Sequence, residues 1–252
     1  MPFPVTFETK CYEYDWKFLL KAGRLKKMIE YCDYPFTERI LYINNVDDLD
    51  RVKKVADKCV NKNIIDSYIV VNEHAAKVLK AFNLDTDSFN GGYYYSIQEL
   101  VGIYLCKTEY LLHFSGDALM RLREPWIDDS IKAMKNNPQY FVANPQMSKN
   151  LLETQDQSFD EDELFYISYG FSDQCYLINA NNYRGDIYNE SHPASERYPK
   201  YGGDLFEKRL DSYLRNHKLY RLTSKNAAYR HRNFPKYKWK RWLWINLGIK
   251  IE

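Results

Sequence analysis

The sequence predicts an α/β fold: a Rossmann-like, mainly parallel sheet flanked by helices, with an irregular C-terminal third. Three observations support this prediction. Short β-branched and aromatic runs alternate with stretches of about 10–15 residues whose apolar side chains follow helical spacing, as in βαβ units. The run from Tyr68 to Val71 is almost continuously apolar, which is typical of a strand buried on both faces. Beyond an acidic stretch at 153–163 the alternation becomes irregular.

Each element follows from a local pattern of apolar residues between polar caps and turns. Strands are predicted at 5–7, 39–43, 68–71, 110–114, 141–143 and 175–178. Helices are predicted at 16–29 after Asp15, from 49 to 59 after Asp47 or Asp48, and at 75–82, 97–106, 126–134 and 205–214. The acidic stretch is predicted as a solvated loop. We expect one domain over residues 1–228 and a basic aromatic segment at 229–252.

Composition excludes several classes of protein. The chain has 252 residues, of which 45% are hydrophobic and 16% aromatic, which excludes a disordered chain. No apolar run approaches the ~20 residues that a membrane-spanning helix needs. The first residues lack the pattern of a secretory signal, and five scattered cysteines never form a CxxC pair. We therefore expect reduced thiols, no cysteine-built zinc site and a cytoplasmic protein.

The charge of the chain is unevenly distributed. The net charge of +2 comes from 36 basic and 34 acidic residues, but residues 212–251 carry eleven Lys or Arg and no Asp or Glu. Such a basic region favours a partner that carries phosphate, whether a nucleotide, a lipid or a nucleic acid.

Sequence motifs narrow the chemistry further. The chain contains no GxGxxG, GxxxxGK[ST] or GxSxG motif, which disfavours dehydrogenases, P-loop NTPases and α/β-hydrolases. Ligands of open α/β sheets bind beyond the carboxyl ends of the strands. The polar residues predicted at those ends are Thr9, Lys10, Glu13, Asn44, Asn45 and Asp117.

The order of several segments resembles a known group of enzymes. These segments are the polar loop at 7–13, Asn90-Gly91-Gly92 and the helix after it, the strand that leads to Ser115-Gly116-Asp117, and the later stretches 170–178, 202–209 and 229–231. Over about residues 3–232 this order resembles the nucleotide-sugar glycosyltransferases of the GT-A fold, close to family 2. The resemblance implies transfer of a hexosyl group, of the inverting type, from a nucleotide-diphosphate sugar to a hydroxyl of a glycan or glycolipid, in polysaccharide or glycoconjugate synthesis.

The resemblance also implies a divalent metal, Mn²⁺ or Mg²⁺. The family's acidic motif is commonly Asp-x-Asp, whereas this chain has a single carboxylate there, Asp117. A hard cation on a carboxylate oxygen would stabilise the departing diphosphate. His231, between Arg230 and Arg232, is a second candidate ligand or a donor to phosphate. The alternatives are a turn or capping role for Asp117 and a surface position for His231.

Binding of the donor is expected from the strand-end loops and from the tyrosines after the glycine turn. Tyrosine rings suit stacking on a sugar or a base because they offer an apolar face and a hydroxyl group. The residues predicted to bind the nucleotide sugar are Thr9, Lys10, Glu13, Asn44, Tyr95 and Ser96. His113 lies on an apolar strand and is expected to be a core histidine.

Three carboxylates are candidates for the general base that takes the acceptor proton. The family's Glu-Asp pair corresponds to Glu207-Lys208, so Glu207 is the first candidate and nearby Asp204 the second. Both could instead cap the helix that follows. Asp173 is the third, with contact to the acceptor sugar as its favoured role and a turn at a strand edge as the alternative.

The basic C-terminal segment has a composition of its own. Residues 229–244 contain six Lys or Arg and six aromatic residues. This mixture is typical of a peripheral segment at an anionic membrane surface, here the inner face. Two alternatives remain: binding of single-stranded nucleic acid, which is less favoured, or a helix that packs its tryptophans on the domain. At the level of function, the alternatives to a glycosyltransferase are a nucleotidyltransferase and a nucleic-acid-binding module.

Overall fold

In the computed structural model, which describes residues 2–148, 151–199, 202–231, 234–235 and 237–247, ten strands form one sheet. The strands are β1 (Val5–Cys11), β2 (Glu38–Ile43), β3 (Ser67–Val70), β4 (Tyr110–Phe114), β5 (Ala118–Met120), β6 (Tyr140–Met147), β7 (Asp160–Glu161), β8 (Phe165–Ser168), β9 (Cys175–Asn179) and β10 (Tyr220–His231). The α-helices are α1 (Trp16–Lys21), α2 (Arg24–Tyr31), α3 (Leu49–Asn61), α4 (Ala75–Ala81), α5 (Tyr93–Leu105), α6 (Ile127–Asn136), α7 (Leu151–Asp156), α8 (Phe206–Asn216) and α9 (Lys238–Leu247).

The strand order is β3-β2-β1-β4-β9-β6-β10-β8-β7, and β5 pairs with β10. Strands β3, β2, β1 and β4 pair in parallel. Because β9 is antiparallel to both β4 and β6, strand β6 runs in the direction of β4, and β10 is parallel to β6. Most strands therefore share one direction, which confirms the predicted α/β class with a mainly parallel sheet.

Helices cover both faces of the sheet. Alternate residues of β2 point to opposite faces, so Leu41 packs in a core with residues of α1, α2, α3 and α6. Its neighbour Tyr42 packs in a second core with residues of α4, α5 and α8. These two cores hold the strand ends in place, and the candidate site lies at those ends.

The structure corrects three sequence predictions. The helix predicted at 16–29 is two helices, because Gly23 adopts a φ of +68° and breaks it. The acidic stretch predicted as a loop includes the end of α7 and the short strand β7. Strand β10 was not predicted, because its polar residues and a register shift between Ser224 and Ala228 interrupt the alternation of a strand.

All five cysteines are buried free thiols. No helix among the described residues has the length and apolar character needed to cross a bilayer.

Candidate active site

A cavity of about 420 Å³ lies where β1, β2 and β4 end. Seven of the eleven predicted site residues line it: Lys10, Asn44, Tyr95, Asp117, Asp173, Glu207 and His231. They come from β1, the loop after β2, the first turn of α5, the loop after β4, the loop before β9, the first turn of α8 and the end of β10. The fold thus brings together residues that are far apart in the sequence.

Asp117 and His231 form a pair at the wall of this cavity. His231 Nε2 lies 3.0 Å from Asp117 Oδ2, and Ser115 donates a hydrogen bond of 2.9 Å to the other carboxylate oxygen. Burial raises the pKa of Asp117. The hydrogen bond and the charge of His231 lower it by more than burial raises it, so the net shift of the pKa is downward. The Asp117 carboxyl group is therefore ionised over the physiological pH range.

The Asp117–His231 pair fits a divalent metal that is shared with a substrate. Carboxylate oxygen and imidazole nitrogen are both ordinary ligands of Mn²⁺, and Mg²⁺ binds through one or two carboxylates plus substrate phosphates. The described part of the chain contains no group of three or more His, Cys, Asp or Glu side chains that could hold a metal ion. A metal here would therefore take its remaining ligands from substrate or water.

Asp15 is a second carboxylate close to Asp117. Its Oδ2 lies 3.1 Å from the position that a Cβ atom on Gly116 would occupy, and both aspartates line a neighbouring cavity of about 650 Å³. The sequence suggested an N-cap, but Asp15 makes no side-chain cap bond within the described residues and accepts from the Tyr12 amide at 2.8 Å. Burial, opposed in part by this bond, and the charge of Asp117 hold the pKa of Asp15 well above its usual range.

Glu207 and Asp173 both line the main cavity, and their carboxyl groups repel each other when both are charged. Glu207 lies in the first turn of α8. Burial, followed by the negative charge of Asp173, raises the pKa of Glu207 to about 9, although a hydrogen bond from the Asp173 backbone opposes the shift. Two nearby carboxylates cannot both ionise at low cost. Glu207 therefore holds a proton at neutral pH in the protein without ligands.

Lys10 provides a cation beside this carboxyl pair. Its ammonium group contacts the fully buried carboxylate of Glu99 and is itself 20% exposed toward the cavity. Burial lowers the pKa of Lys10, but the charges of Glu99 and Asp173 outweigh burial and raise it. Lys10 is thus permanently charged and fixed in position.

Glu8, two residues before Lys10 on β1, forms a buried pair with His113 on β4. His113 Nδ1 lies 2.9 Å from Glu8 Oε1, both side chains are fully buried, and the imidazole stacks on Tyr176 with 4.7 Å between ring centroids. Burial holds the pKa of His113 well below and that of Glu8 well above their ordinary values, so burial favours the neutral form of each group. The prediction that His113 is a core histidine is confirmed.

Two predicted residues connect the helices α5 and α8 and do not line the cavity. Ser96 donates to the Gly92 carbonyl and accepts from the Phe206 amide, each at 2.9 Å. Asp204 accepts from Asn90 at 2.5 Å and from Lys208 at 2.9 Å. Ser96 thereby connects the first turn of α5 to the start of α8, and neither side chain lines the cavity in which the predicted donor-binding role of Ser96 and base role of Asp204 would place it.

Two further predicted residues also lie outside the cavity lining. The hydroxyl group of Thr9 is buried in the core, with no hydrogen-bond partner among the described residues. Glu13 accepts a hydrogen bond of 3.0 Å from the Asp47 amide, which ties the loop after β1 to the loop after β2. Polar residue type alone could not separate these structural roles from contact with a ligand.

The sequence matches no protein-family model and no curated protein. Among solved structures it resembles GalNAc-T7, crystallised with UDP, GalNAc and Mn²⁺, with a TM-score of 0.54 and 7% identity over 93% of this chain. The chain has a GT-A fold. It spans 45% of the length of GalNAc-T7.

Two further solved structures are less similar to this chain. The galactosyltransferase LgtC, in complex with donor and acceptor sugar analogues, is 12% identical over 86% of this chain and 72% of its own length, with a TM-score of 0.42. The inositol-1-phosphate CTP transferase from T. maritima is 9% identical over 93% of this chain and 91% of its own length, with a TM-score of 0.47.

Helix α9 packs against helix α1, next to the cavity that Asp15 and Asp117 line. Phe18 of α1 stacks on Phe234 at 4.5 Å and meets Trp244 edge-on at 5.2 Å, while Arg241 donates to the Tyr14 carbonyl. The opposite face of α9 exposes 56% of Trp239 and 57% of Trp242. The segment therefore has one packed face and one exposed face. Of the predicted segment 229–252, residues 232–233, 236 and 248–252 lie outside the described part.

Proposed function

We propose that this protein is a glycosyltransferase that moves a sugar from a nucleotide-diphosphate donor to a hydroxyl group of a glycan or glycolipid. The observation that carries the proposal is the convergence of Lys10, the Asp117–His231 pair and the Glu207–Asp173 pair on one cavity of a GT-A fold. Cationic and metal-binding groups suit a diphosphate, and a carboxyl pair suits deprotonation of an acceptor. The presence of UDP, GalNAc and Mn²⁺ in crystals of GalNAc-T7 agrees with such a donor.

The donor would occupy the side of the cavity formed by Lys10, Asn44 and Tyr95. Tyr95 is 54% exposed and offers its ring for stacking on a base or a sugar. The Lys10 ammonium group would bind diphosphate oxygens, because its charge is maintained by Glu99 and its position is fixed. Asn44 can hydrogen-bond a polar edge of the nucleoside.

Asp117 and His231 would hold a divalent metal, Mn²⁺ or Mg²⁺. When bound, the metal supplies positive charge that stabilises the departing diphosphate. Without a metal, the chain's own contribution at this position is the orientation of the carboxylate by Ser115 and by the imidazole.

Glu207 would act as the general base in an inverting displacement. The acceptor hydroxyl loses its proton to the Glu207 carboxylate while its oxygen forms a bond to the anomeric carbon of the donor. The bond between that carbon and the phosphate oxygen breaks, and the nucleoside diphosphate leaves. Since Glu207 is protonated at neutral pH, it must ionise before it can act, and Asp173 would orient the acceptor.

We also propose that the exposed face of α9 binds an anionic membrane peripherally. Trp239 and Trp242 lie three residues apart on one helical face. The segment 229–244 that contains these tryptophans also carries six Lys or Arg. Exposed tryptophans in a basic segment suit lipid headgroups.

A screen of nucleotide sugars tests the proposed activity directly. The melting temperature of the protein is measured with each donor, with and without Mn²⁺, and donors that stabilise it are then assayed for transfer to labelled glycans. We expect one class of nucleotide-diphosphate sugar to raise the melting temperature and to support transfer. Stabilisation by CTP with a sugar phosphate, and by no nucleotide sugar, would instead favour a nucleotidyltransferase.

A further inference from the structure

Two guanidinium groups meet at Gly170, in the loop that follows β8. A Cβ atom on Gly170 would lie 2.8 Å from Arg197 Nη2 and 3.2 Å from Arg221 Nη1. The φ angle of Gly170 is +119°, a backbone conformation that side-chain-bearing residues rarely adopt. The glycine therefore lets both arginines approach the same stretch of backbone.

The positive charge at this point is not balanced by the protein. Asp211 is fully buried and accepts from Arg197 at 3.2 Å and from Arg215 at 2.9 Å. Arg221 has no ion pair within 4 Å in the described ranges, and its hydrogen bonds go to Ser168 Oγ at 3.0 and 3.2 Å. Two guanidinium groups thus share the Asp211 carboxylate, and the third, that of Arg221, pairs with no carboxylate in the described part of the chain.

The protonation of Arg221 reflects the same imbalance. Its side chain faces Arg197 and Asp211 and the phenol groups of Tyr198 and Tyr229. Burial, and then the charge of Arg197, lower its pKa, while Tyr198 and Asp211 oppose that shift. Arginine nevertheless stays charged in proteins, so the arrangement keeps an unpaired cation in place.

This cluster adjoins the acceptor side of the candidate active site. The loop from Gly170 continues directly to Asp173, which lines the cavity, and Arg197 precedes the cavity residue Pro199 by two positions. Tyr198 fixes the two segments to each other, because its hydroxyl donates to the Phe171 carbonyl at 2.7 Å and accepts from the Phe171 amide at 3.1 Å. Gly170 is buried, and Arg197, with 40% of its side chain exposed, presents the accessible guanidinium group of the two.

We propose that Arg197 and Arg221 bind an anionic group, a phosphate or a carboxylate, on the acceptor of the proposed glycosyl transfer. The inference rests on the proposed function and names its acceptor class, an acidic or phosphorylated glycan. Guanidinium groups bind such oxyanions through paired hydrogen bonds. The ring of Tyr169 lies 5.2 Å from the Arg215 guanidinium and 5.3 Å from Tyr220, which provides an aromatic surface for a sugar beside the cations.

Binding is measured by NMR of the arginine Nε–Hε groups in ¹⁵N-labelled protein, without any donor present. The probes are methyl phosphate, methyl glucuronide and neutral methyl glucoside. Signals are assigned with the variants Arg197→Gln and Arg221→Lys, and the matched control is Arg123→Gln, which removes an exposed arginine that lies over Tyr31. The Arg197 side chain is 40% exposed, and its buried partner Asp211 keeps its ion pair with Arg215 when Arg197 is replaced, so we expect the variant to fold.

We expect at least one anion to shift the Arg197 and Arg221 signals, and the glucoside to leave them in place. Both variants at the cluster should weaken binding by about 10- to 100-fold, as expected for loss of a charged hydrogen bond, while Arg123→Gln binds like wild type. The anion that binds more tightly identifies phosphate or carboxylate as the group recognised. Unchanged signals with both anions, or equal affinity in Arg197→Gln and wild type, would overturn the inference.

Transfer assays separate this inference from the proposed function. If anions bind at the cluster but no nucleotide sugar binds or reacts, the glycosyltransferase proposal fails and so does the acceptor role of the cluster. If sugar is transferred to neutral and anionic acceptors equally well in wild type and in Arg197→Gln, the proposed function holds and the acceptor subsite is wrong.

Discussion

Asp117 and His231 lie 3.0 Å apart, although one follows β4 and the other ends β10. The antiparallel register of β5 and β10 creates this contact, because it pairs His231 with Ala118, the residue after Asp117. A carboxylate and an imidazole are thereby presented together at the edge of the cavity. In the proposed metal site, His231 would supply the second ligand that the Ser115-Gly116-Asp117 segment lacks.

Substitution of Asp117 by Asn should weaken Mn²⁺ binding by about 10–100-fold or more and abolish most donor-dependent turnover, because the anionic ligand is lost. Mn²⁺ binding is measured by EPR with the donor nucleotide present. Ser115→Ala is the matched comparison: it keeps both ligands and removes the bond that orients Asp117, so its effect should be smaller. Wild-type activity that persists in excess EDTA would contradict a role for the metal.

Substitution of Glu207 by Gln should lower the rate of transfer by about 10²–10⁴-fold with little change in donor binding, because it removes the proposed base. In wild type, kcat/KM should rise with pH, reach half of its maximum near pH 9, where Glu207 is half ionised, and level off above that pH. A pH profile of both proteins measures this. Asp204→Asn, which alters the same helix start outside the cavity, should keep the profile of wild type.

The substitution Glu207→Gln should also stabilise the protein at high pH. Glu207 has an ordinary pKa of 4.5 and a pKa of about 9 in the fold, so the unfolded chain binds fewer protons between these values. Folding stability is therefore lost as the pH rises through this range, and Glu207→Gln removes the loss. Each pKa unit is worth about 1.4 kcal/mol, and partial exposure of the group reduces the total, so we expect a gain of about 1–3 kcal/mol at pH 9 and little at pH 4.

Urea unfolding at several pH values measures this gain, and Asp204→Asn again provides the control. Burial raises the pKa of Asp204, but the bonds from Lys208 and Asn90 lower it below its ordinary value overall. Its carboxylate therefore adds stability above that ordinary value and loses it in acid, so Asp204→Asn should destabilise the protein at neutral pH. A pH-independent effect of Glu207→Gln would show that Glu207 is not the group held protonated.

Substitution of Gly102 by Ala should destabilise the protein by about 1–3 kcal/mol through overpacking. A methyl group on Gly102 in α5 would overlap the carboxyl group of Glu8, which is fully buried and cannot move into solvent. The double variant with Glu8→Ala should lose less stability than the sum of the single variants, because it vacates that space. Additive losses in thermal unfolding would argue against this contact.

Local patterns in the sequence were sufficient to predict several elements of the fold. Strand β4 spans Tyr110–Phe114 as predicted, since its apolar run is bounded by polar residues on both sides. Asp48 caps α3 by accepting from the Arg51 amide at 3.0 Å, as a capping pattern predicts. Both features depend on interactions between residues close in sequence.

The relationships within the candidate site depend on contacts between distant segments, which a single sequence does not reveal. Strand β10 was missed, and with it the reason that His231 approaches Asp117. Ser96 has a residue type that suits a ligand or a helix cap, but the amide that it accepts from belongs to Phe206, in a distant segment of the chain. The sequence was sufficient to predict most of the residues that line the cavity, but not which of their side chains contact each other.

The two faces of α9 should respond differently to substitution. Trp239 and Trp242 are exposed, so replacing both by Ala should leave the melting temperature almost unchanged but reduce flotation with anionic vesicles. Each nearby cation contributes about 1 kcal/mol to binding such a surface, so high salt should also release the wild-type protein. Trp244→Ala is the matched control on the packed face: it removes the ring that meets Phe18 and should cost about 1–2 kcal/mol of stability. If the Trp239/Trp242 double variant still floats with anionic vesicles as wild type does, α9 is not the membrane-binding surface.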